Sequence, residues 1–490
     1  MHLSKTDFLT GHQCGKALYL RRNGEALGIT PDEMGTAALF LVDQGRDVGK
    51  LAQQRFPGGV NLLETVGFDM GRRVAETRRL AAAGANVLYE AVFEYGGAVC
   101  AVDVLVRDGD GWRVYEVKSG TKVEDQHVLD AAFQYHVLVN CGLHVRDISI
   151  AHIDNQYVRV GSLDLGQLFA DESVLDQVRD LQDAVAAKVT EFQAVLTAAN
   201  MPDADIGPYC SDPRDCPYRG HCWQHVPERS VFDLVRGGKK CWSLYRSGVM
   251  QIEDIPDDFG LTAAQKTQVE AEKTGKPAMD KAKVRQFLDS LRYPIAHVDF
   301  ETFASPVPEY DGLRPYQQVP FQWSAHRQET LGGEVTHHEF LANAGADPRE
   351  AFVTSLLGAL EGAVSVLVYN RTFEDGRLAE LQDHFPQHAV SIQGVRVKLV
   401  DLMVPFQKQW YYTPQMHGSY SIKAVLPALV PELTYAGLAI GDGTAASAAY
   451  VSLKGETDPG RIAEVRSRLL AYCEMDTLAM VRLLAKLYEV

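Results

Sequence analysis

The sequence predicts an α/β protein built from two domains, 1–225 and 291–490, which a small helical module, 226–290, joins. Three observations support this fold class. First, the chain has 490 residues, more than a single hydrophobic core normally holds. Second, apolar residues alternate in strand-like runs within 85–118 and again within 294–341. Third, helical spacing of apolar residues occurs between and after these runs.

The first domain is expected to contain a hairpin-rich sheet that helices cover. The segment Asp108-Gly-Asp-Gly111 is typical of a tight turn between two strands, because glycine tolerates the backbone angles of such turns. The expected elements are helices within 1–55, strands at 87–95, 98–107 and 112–118, a helix at 123–140, a strand at 148–153 and a helix over 171–197.

The second domain is expected to begin near Pro294 with a strand. The module before it, 226–290, has helical patterns that are interrupted at Gly248 and Pro256, and we interpret it as a connection. The expected strands of the second domain are 294–300, 318–328, 335–341, 364–369 and 395–404, with helices between and after them.

The composition is typical of a globular protein of the cytoplasm. Hydrophobic residues make up 46% and charged residues 23%, and no apolar run is long enough to cross a membrane. The N-terminus has no secretory pattern, so we expect a cytoplasmic location, no membrane partner and cysteines that are free or bound to metal. The net charge of −16 argues against tight non-specific binding to nucleic acid, although acids that hold metal ions would reduce that charge.

The acidic residues of the second domain form the strongest functional pattern. Asp299 and Glu301 lie two apart in a strand-like run, so both carboxylates are expected on one face of a sheet. Tyr472 and Asp476 lie four apart in a helical pattern and share one helix face. Glu374 follows another apolar run and adds a further acid. Clustered acids repel one another unless cations neutralise them, and two divalent ions about 3.5–4 Å apart suit an attack of water on a phosphate.

A second acidic pattern lies in the first domain. Glu116 and Lys118 share one face of a strand, and Asp103 lies on the preceding arm of the hairpin. The two acids would hold Mg²⁺ or Mn²⁺, which lowers the pKa of a bound water, and the lysine would position that water or offset charge. Glu90 is a candidate for a further acid, and Gln134 on the next helix is a candidate for orienting a phosphate or a ligand.

Three of the eight cysteines have a spacing that indicates a metal site. With five residues between neighbours, they lie among prolines and glycines, which is unusual for residues of a hydrophobic core. These three are Cys210, Cys216 and Cys222. Zinc is one candidate, with His221 or His225 as a further ligand.

The hairpin, the helix after it and the cysteines together resemble the RecB-like branch of the PD-(D/E)XK nucleases, which includes the CRISPR-associated iron–sulfur exonucleases. The resemblance implies a restriction-endonuclease-like fold for 1–225 and divalent metal at Asp103 and Glu116. It also implies a [4Fe–4S] cluster bound by Cys14 and the three later cysteines, with zinc as the alternative. Many of these relatives have Gly-x-x-x-His ahead of the core, where this chain has Gly45-Arg-Asp-Val-Gly49.

The order of the acidic motifs in 291–490 resembles that of the RNase H-like DEDD exonucleases of the DnaQ type. The resemblance implies that four acids hold two metal ions and that Tyr472 orients the attacking water. These acids are Asp299, Glu301, Glu374 and Asp476. Glu374 stands where the family usually has an aspartate, and it would bind a metal or alternate with Asp375. The whole chain is similar to a family of two-domain bacterial nucleases in which a RecB-like iron–sulfur domain precedes a DnaQ-type domain.

We therefore expect a divalent-metal-dependent nuclease with two active sites that hydrolyses DNA, exonucleolytically, on single strands or at ends. An alternative is a 3′–5′ exonuclease of RNA or DNA that is active only in its C-terminal domain, with the N-terminal half as a binding module. A second alternative is a non-catalytic nucleic-acid-binding subunit of a repair or defence complex. The sequence has no Gly-x-x-x-x-Gly-Lys-Ser/Thr loop, so ATP-driven unwinding would require a helicase partner.

Overall fold

The protein, represented by a computed structural model that describes residues 2–490, is a mixed α/β protein with several sheets, as the sequence predicts. Its contacts divide it into two units. The first unit contains the described residues up to His225 together with Ser305–Gln317, and the second contains Val226–Ala304 and Gln318–Val490. Residues 226–290, which we interpret from the sequence as a connection, are thus part of the second unit. A segment from the second half of the sequence, Ser305–Gln317, belongs to the first.

The first unit contains one seven-stranded sheet and the helices around it. Its strands are β1 (Leu3–Ser4), β2 (Val60–Asn61), β3 (Val87–Tyr95), β4 (Ala98–Asp108), β5 (Gly111–Lys118), β6 (Val145–Ile153) and β7 (Phe169–Ser173). Its helices are α1 (Lys5–Gln13), α2 (Gly15–Asn23), α3 (Thr36–Gln53), α4 (Leu62–Val66), α5 (Met70–Ala82), α6 (Asp125–Asn140), α7 (Leu165–Leu168), α8 (Leu175–Asp180), α9 (Gln182–Thr197) and α10 (Arg219–Cys222).

The strand order of this sheet places β5 in its interior, between β4 and β6. The order is β2-β3-β4-β5-β6-β7, and β1 pairs with β4. Strands β3, β4 and β5 form an antiparallel meander, whereas β5 and β6 are parallel and α6 connects them. The core lies between the sheet and helices α1, α6 and α9, where the ring of Phe8 stacks on that of Phe133 at 4.7 Å. Helix α6 therefore covers the strand ends that carry the predicted acids.

The second unit contains a five-stranded sheet, a two-stranded sheet and ten helices within the described residues. Its strands are β8 (Ala278–Met279), β9 (Ile295–Phe303), β10 (Val319–Gln328), β11 (Val335–Leu341), β12 (Ser365–Val368), β13 (Leu399–Asp401) and β14 (Tyr411–Tyr412). Its helices are α11 (Lys239–Arg246), α12 (Ala263–Thr274), α13 (Lys281–Asp289), α14 (Arg349–Ala359), α15 (Arg371–His384), α16 (Ala389–Arg396), α17 (Val404–Gln407), α18 (Ile422–Leu429), α19 (Gly443–Ser452) and α20 (Pro459–Tyr488).

The larger sheet of this unit has one apolar face and one partly polar face. Its order is β11-β10-β9-β12-β13, with the first three strands antiparallel and the last three parallel. Ala296, Val298 and Phe300 of β9 pack against helices α14, α15 and α16. The alternate residues of β9 point to the other face, which the long helix α20 crosses. The acids of β9 consequently lie between the sheet and α20.

Most predicted elements are present, and two predictions need correction. The stretch 171–197 does not begin as a helix, because Phe169–Ser173 pairs with β6 as an edge strand before α8 starts. The stretch 395–404 is a strand only at Leu399–Asp401, since Ile392 and Val395 bury one face of α16 just before it. Across the part of the chain that the structure describes, no helix combines the length and the apolar character that a bilayer crossing requires.

Candidate metal-binding sites

The acids of β9 form the centre of a buried carboxylate cluster in the second unit. Asp299 and Glu301 point to the face that α20 covers, and Glu301 is 6% exposed. Ligand atoms of Asp299, Glu301 and Cys473 lie within 4.8 Å of one another. The sulfur of Cys473 is 3.8 Å from Oδ2 of Asp299. Strand alternation thus brings the two predicted acids together, and α20 adds a thiol that the sequence analysis did not assign to the site.

Helix α20 supplies the other predicted residues of this cluster. It begins at Pro459 after Asp458, whose side chain accepts a hydrogen bond from the backbone of Gly460, and proline at the first helical position needs no donor. Tyr472 and Asp476 lie one helical turn apart and both are buried. The charge of Asp476 raises the pKa of both β9 acids, so the three carboxylates are close in space.

Burial and mutual repulsion shift these acids in the same direction. The pKa of Asp299 is raised by burial first and then by the charges of Asp476 and Glu301. The pKa of Glu301 is raised by burial and by Asp476. Burial also raises the pKa of Asp476 to about 6, although a hydrogen bond from Tyr435 and the charge of Lys423 oppose the shift. The cluster therefore carries more negative charge than its own neighbours neutralise, which favours cation binding.

The fourth predicted acid, Glu374, lies in the first turn of α15. It is 2% exposed, burial raises its pKa to about 8, and its charge raises the pKa of Asp299. Among residues 2–490, Oε2 of Glu374 has no hydrogen-bond partner. Asp375, the alternative acid, instead forms a 2.6 Å ion pair with Arg396. Asp401, in β13, accepts hydrogen bonds from the backbone at the start of α15, so its role is to cap that helix.

Two further side chains contact the cluster, and nothing in the local sequence predicts them. Tyr435 donates a 2.6 Å hydrogen bond to Oδ1 of Asp476. Lys423, at the start of α18, donates hydrogen bonds to the hydroxyl of Tyr472 at 3.0 Å and to the carbonyl of Gly441 at 2.6 Å. Its ammonium group lowers the pKa values of nearby acids and is the cation that the protein itself supplies to them.

Helix α19 also points one end at the cluster. Its N-terminal residue, Gly443, lies so close to Glu301 that an added Cβ atom would be 3.6 Å from Oε2. Asp442 caps the helix by accepting a hydrogen bond from the backbone of Ala445. The partial positive charge of a helix N-terminus stabilises a nearby carboxylate, but its effect is small compared with that of a bound divalent ion.

The predicted acids of the first unit meet a different environment. Glu116 is 1% exposed, and its Oε1 accepts hydrogen bonds from Lys5 and Lys118, both at 2.7 Å. Its Oε2 accepts a 2.6 Å hydrogen bond from Gln134. Asp103 accepts a 2.8 Å hydrogen bond from the backbone of Val117. Glu116, Lys118, Gln134 and Asp103 are therefore brought together as the sequence predicts.

Two members of this network, Lys5 and Asp130, were not predicted from the sequence. Asp130 is 1% exposed and pairs with Lys118 at 2.6 Å. It lies four residues before Gln134 on α6, a spacing that puts both on one helix face and that is the available sequence signal. Lys5 is the first residue of α1, and the capping box of Ser4 and Asp7 fixes the start of that helix beside the site. No local sequence pattern predicts its contact with Glu116.

The lysines decide the electrostatics of this network. Burial alone would raise the pKa of Glu116, but the ammonium groups of Lys118 and Lys5 outweigh it and lower that pKa. Burial and the charge of Glu116 raise the pKa of Asp103 to about 7. Burial also raises the pKa of Glu90, whose Oε2 lies 3.4 Å from Arg73. This site is therefore largely neutralised by its own cations, in contrast to the Asp299 cluster.

The four predicted cysteines line one small, mostly enclosed cavity in the first unit. Cys14 joins α1 to α2 and meets Cys210, Cys216 and Cys222, with Ala17 and Leu20 among the apolar walls. The backbone NH of Gly207 donates a hydrogen bond to Sγ of Cys210 at 3.4 Å. Burial raises the pKa of Cys216 to about 11, so metal binding would be needed to hold it deprotonated.

The two metal groups considered for these cysteines require different spacings of their sulfur ligands. Zinc–sulfur bonds of about 2.3 Å place the sulfurs of a tetrahedral site about 3.8 Å apart. No three of the four sulfurs, all of which belong to described residues, lie within 4.8 Å of one another. The thiolates of a [4Fe–4S] cluster bind different corners of a cube and stand further apart. His221 and His225, the alternative zinc ligands, are not among the residues that line the cavity.

Comparison with known proteins adds two similarities. Residues 296–421 match the family described as Domain of unknown function (DUF2779). The match includes Asp299, Glu301 and Glu374 and ends before α20. The chain is also 26% identical over 239 residues to the uncharacterized protein UU173 of Ureaplasma parvum serovar 3 (strain ATCC 700970). That similarity covers 44% of this chain and 34% of the relative, so the chain spans about a third of that protein's length.

Proposed function

We propose that the protein is a divalent-metal-dependent nuclease whose principal active site is the carboxylate cluster at Asp299. The observation that carries the proposal is the meeting of half-buried Asp299 with three buried carboxylates, Glu301, Glu374 and Asp476, near one ammonium group, that of Lys423. Such an arrangement is unfavourable without additional cations, and oxygen ligands suit Mg²⁺ and Mn²⁺. Phosphodiester hydrolysis is the reaction for which paired divalent ions are most often used.

The topology of the second unit supports an RNase H-like fold of the DEDD exonuclease type. An antiparallel β11-β10-β9 meander continues into the parallel strands β12 and β13, and the first acids lie on the central strand β9. The final helix α20 carries the last acid across the sheet. In the first unit, the antiparallel β3-β4-β5 meander and the β5-α6-β6 crossover support a PD-(D/E)XK-like fold.

The residues of the Asp299 cluster have separable roles in the proposed reaction. The four carboxylates would hold the metal ions, which supply a Lewis acid and a water of lowered pKa. Tyr472 would orient the attacking water through its hydroxyl, and Lys423 holds that hydroxyl in place at 3.0 Å. Tyr435 fixes the orientation of Asp476 through its 2.6 Å hydrogen bond, as outer-sphere partners of metal ligands do.

The first unit is proposed to contribute a second hydrolytic centre at Asp103 and Glu116. Lys118 would offset charge on the scissile phosphate, and Gln134 has a buried Oε1 with no partner in the described chain, which a ligand would satisfy. A [4Fe–4S] cluster on the four cysteines is proposed to hold α1, and with it Lys5, against the end of the unit. The proposed substrate is DNA with single-stranded regions or ends, with RNA as the alternative.

A second candidate function assigns cleavage to the Asp299 cluster alone. The ion pairs of the first unit favour this candidate. Lys5 and Lys118 neutralise Glu116 and Asp130, so the Glu116 site has less need of a metal ion. In this candidate the first unit binds nucleic acid, and the second unit trims its 3′ ends. A non-catalytic binding subunit of a repair or defence complex is the third candidate. It assigns no role to the mutually repelling acids of the second unit, so the structure supports it least.

Cleavage assays on isosteric variants test these candidates. End-labelled single-stranded DNA and RNA are incubated with Mn²⁺ and with wild type, Asp299→Asn, Glu116→Gln or the control Asp383→Asn, which changes an exposed acid. We expect Asp299→Asn to lose cleavage and Asp383→Asn to retain it. Loss in Glu116→Gln as well supports two centres, whereas full activity of that variant supports the second candidate. Absence of cleavage by wild type with Mn²⁺ and also with Mg²⁺ contradicts both nuclease proposals.

The cofactor is tested separately from the activity. After anaerobic purification, a [4Fe–4S] protein absorbs visible light and contains iron and sulfide, whereas a zinc protein is colourless. We expect about four iron atoms per chain, the composition of one [4Fe–4S] cluster. Stoichiometric zinc without iron would contradict the iron–sulfur assignment but not the nuclease assignment.

A further inference from the structure

Three histidines form a row across the sheet of the second unit. His297 on β9 pairs with His326 on β10, and His326 pairs with His337 on β11. Residues that pair directly across strands have their side chains on the same face. The row lies on the face that α20 covers, one pleat beyond Asp299. The rings of His326 and His337 stack with centroids 4.5 Å apart.

Helix α20 brings a carboxylate to one end of this row. Glu474 lies with Oε1 3.8 Å from Nδ1 of His337. One ligand atom from each of His326, His337 and Glu474 lies within 4.8 Å of the other two. A tetrahedral zinc ion with bonds of about 2.0–2.2 Å needs its ligand atoms about 3.3–3.6 Å apart, so small side-chain movements would complete the geometry. Glu474 is 48% exposed and has the freedom to make them.

The hydrogen bonds of the row leave lone pairs available on both imidazoles. Thr477 donates its hydroxyl hydrogen to the carbonyl of Glu474 at 3.0 Å, so its oxygen accepts from Nδ1 of His326 at 2.8 Å and from Ser324 at 2.7 Å. Ser324 has then used its hydrogen and accepts from Nε2 of His337 at 2.9 Å. This assignment of the hydroxyl hydrogens is one that the contacts allow, and in it Nε2 of His326 and Nδ1 of His337 have free lone pairs. Zinc-binding histidines are held in the same way, by a partner on the other nitrogen.

The third histidine provides an independent observation. His297 is fully buried, and within the described residues neither of its ring nitrogens has a hydrogen-bond partner. Leaving a buried polar group unsatisfied is unfavourable, and an ion or water that binds there is one physical explanation for such a group in a native protein. His297 stands next to His326 in the row. A bound ion, or a water attached to it, would satisfy this group.

We propose that His326, His337 and Glu474 form a binding site for a transition-metal ion such as Zn²⁺, distinct from the carboxylate cluster. Two imidazoles and one carboxylate suit zinc and its neighbours, whereas Mg²⁺ prefers oxygen ligands alone. Three protein ligands leave a fourth position open to water or to another ligand. An ion bound here would tie α20, which carries Tyr472 and Asp476, to strands β10 and β11. This proposal does not depend on nuclease activity.

Zinc stoichiometry of the full-length protein tests the proposal. Wild type and the variants His337→Gln, Glu474→Gln and the double variant are dialysed against Zn²⁺ with excess Mg²⁺, which occupies oxygen-only sites. The double variant is expected to bind one zinc ion fewer than wild type, and each single variant to bind it at least about tenfold more weakly. Any zinc that the cysteines bind is present equally in wild type and in the variants, so it cancels when their zinc contents are subtracted. His338→Gln, an exposed histidine on the opposite face of β11, serves as the matched control.

Two further measurements keep the test decisive. The Co²⁺ difference spectrum between wild type and double variant should contain d–d bands without thiolate charge transfer, because the ligands are nitrogen and oxygen. Thr477→Val preserves shape but removes the hydroxyl that orients His326, and it should weaken zinc binding about 10–100-fold. Equal zinc content in wild type and double variant overturns the proposal, as does loss of the ion in His338→Gln. Because His337 and Glu474 are partly exposed, near-UV circular dichroism in EDTA is expected to be unchanged in their variants.

Discussion

The hydroxyl of Tyr435 donates a 2.6 Å hydrogen bond to Oδ1 of Asp476, across 41 residues of sequence. This bond fixes one carboxylate of the Asp299 cluster in the orientation in which its second oxygen is available. The side chain of Tyr435 packs at the edge of the core formed by α18 and α20. The chain therefore positions a proposed metal ligand through a residue outside the acidic motifs.

Replacement of Tyr435 by phenylalanine is expected to reduce Mn²⁺-dependent cleavage about 10–100-fold, since outer-sphere partners of metal ligands have effects of this size. The ring remains, so the folded structure should persist. Tyr411→Phe removes a tyrosine hydroxyl elsewhere in the same core and should cleave at the wild-type rate. Initial rates on end-labelled DNA measure the effect. An unchanged rate in Tyr435→Phe would show that Asp476 needs no such support.

Neutralisation of Asp299 is expected to stabilise the metal-free protein and to weaken its response to metal. Burial and neighbouring charges disfavour the ionised form, so Asp299→Asn should unfold at a higher temperature in EDTA. Ligand at 100 times its Kd stabilises a native protein by about 2.7 kcal/mol, and the variant should lose most of the Mn²⁺-induced shift. Thermal unfolding with and without Mn²⁺ measures both effects. Asp383→Asn should resemble wild type, and a lower unfolding temperature of Asp299→Asn in EDTA would contradict the prediction.

Loss of Lys118 is expected to destabilise the protein through the acids that it leaves behind. Lys118 pairs with Glu116 and Asp130, which are both buried, and breaking a buried ion pair costs about 3–5 kcal/mol. The free energy of unfolding of Lys118→Met should fall by about 3 kcal/mol. Lys283→Met removes an exposed pair with Asp280 and should leave the free energy of unfolding nearly unchanged. Chemical denaturation compares the two, and equal effects would refute the buried network.

The contribution of Asp7 to stability is expected to depend on pH. Burial alone would raise its pKa, but hydrogen bonds from Ser4, Arg22 and Arg21 outweigh burial and lower that pKa. A group with a depressed pKa stabilises the folded state above its unfolded pKa of about 3.9, and the benefit disappears as the pH falls through the folded value. The difference in unfolding free energy between wild type and Asp7→Asn should therefore be full at about pH 6 and should begin to decline as the pH falls below about 4. A difference that is independent of pH would contradict this assignment.

Replacement of Cys216 by serine is expected to remove a ligand of the proposed iron–sulfur cluster. The variant should lose most visible absorption and unfold at a lower temperature, because the cluster joins α1 to the residues after α9. Cys141→Ser is the matched control, since that thiol lies outside the cavity and donates a hydrogen bond to the carbonyl of Glu94 at 3.3 Å. Absorption spectra and thermal scans under anaerobic conditions measure the outcome. Retention of the full spectrum by Cys216→Ser would exclude this cysteine as a ligand.

Local periodicity in the sequence identifies several elements and site residues well. The strands Val87–Tyr95 and Val335–Leu341 have the bounds that alternation predicts. The shared face of Asp299 and Glu301 follows from the same period of two, and the shared face of Tyr472 and Asp476 follows from the helical repeat. The helix predicted over 171–197 wrongly includes the end of the edge strand Phe169–Ser173, because this short segment lacks alternation and only pairing with β6 makes it extended.

The sequence by itself determined the mixed α/β class, the two acidic patterns and the cysteine set, because each depends on spacing along a single strand, helix or loop. Only the tertiary structure decided which charges meet. It placed Lys5 beside Glu116 and Asp130 beside Lys118, left Asp299 with acids around it, and aligned His297, His326 and His337 in one row. The physical reason is that packing between distant segments sets the electrostatic partners and the strand register. The short-range periodicity of the sequence does not predict that packing.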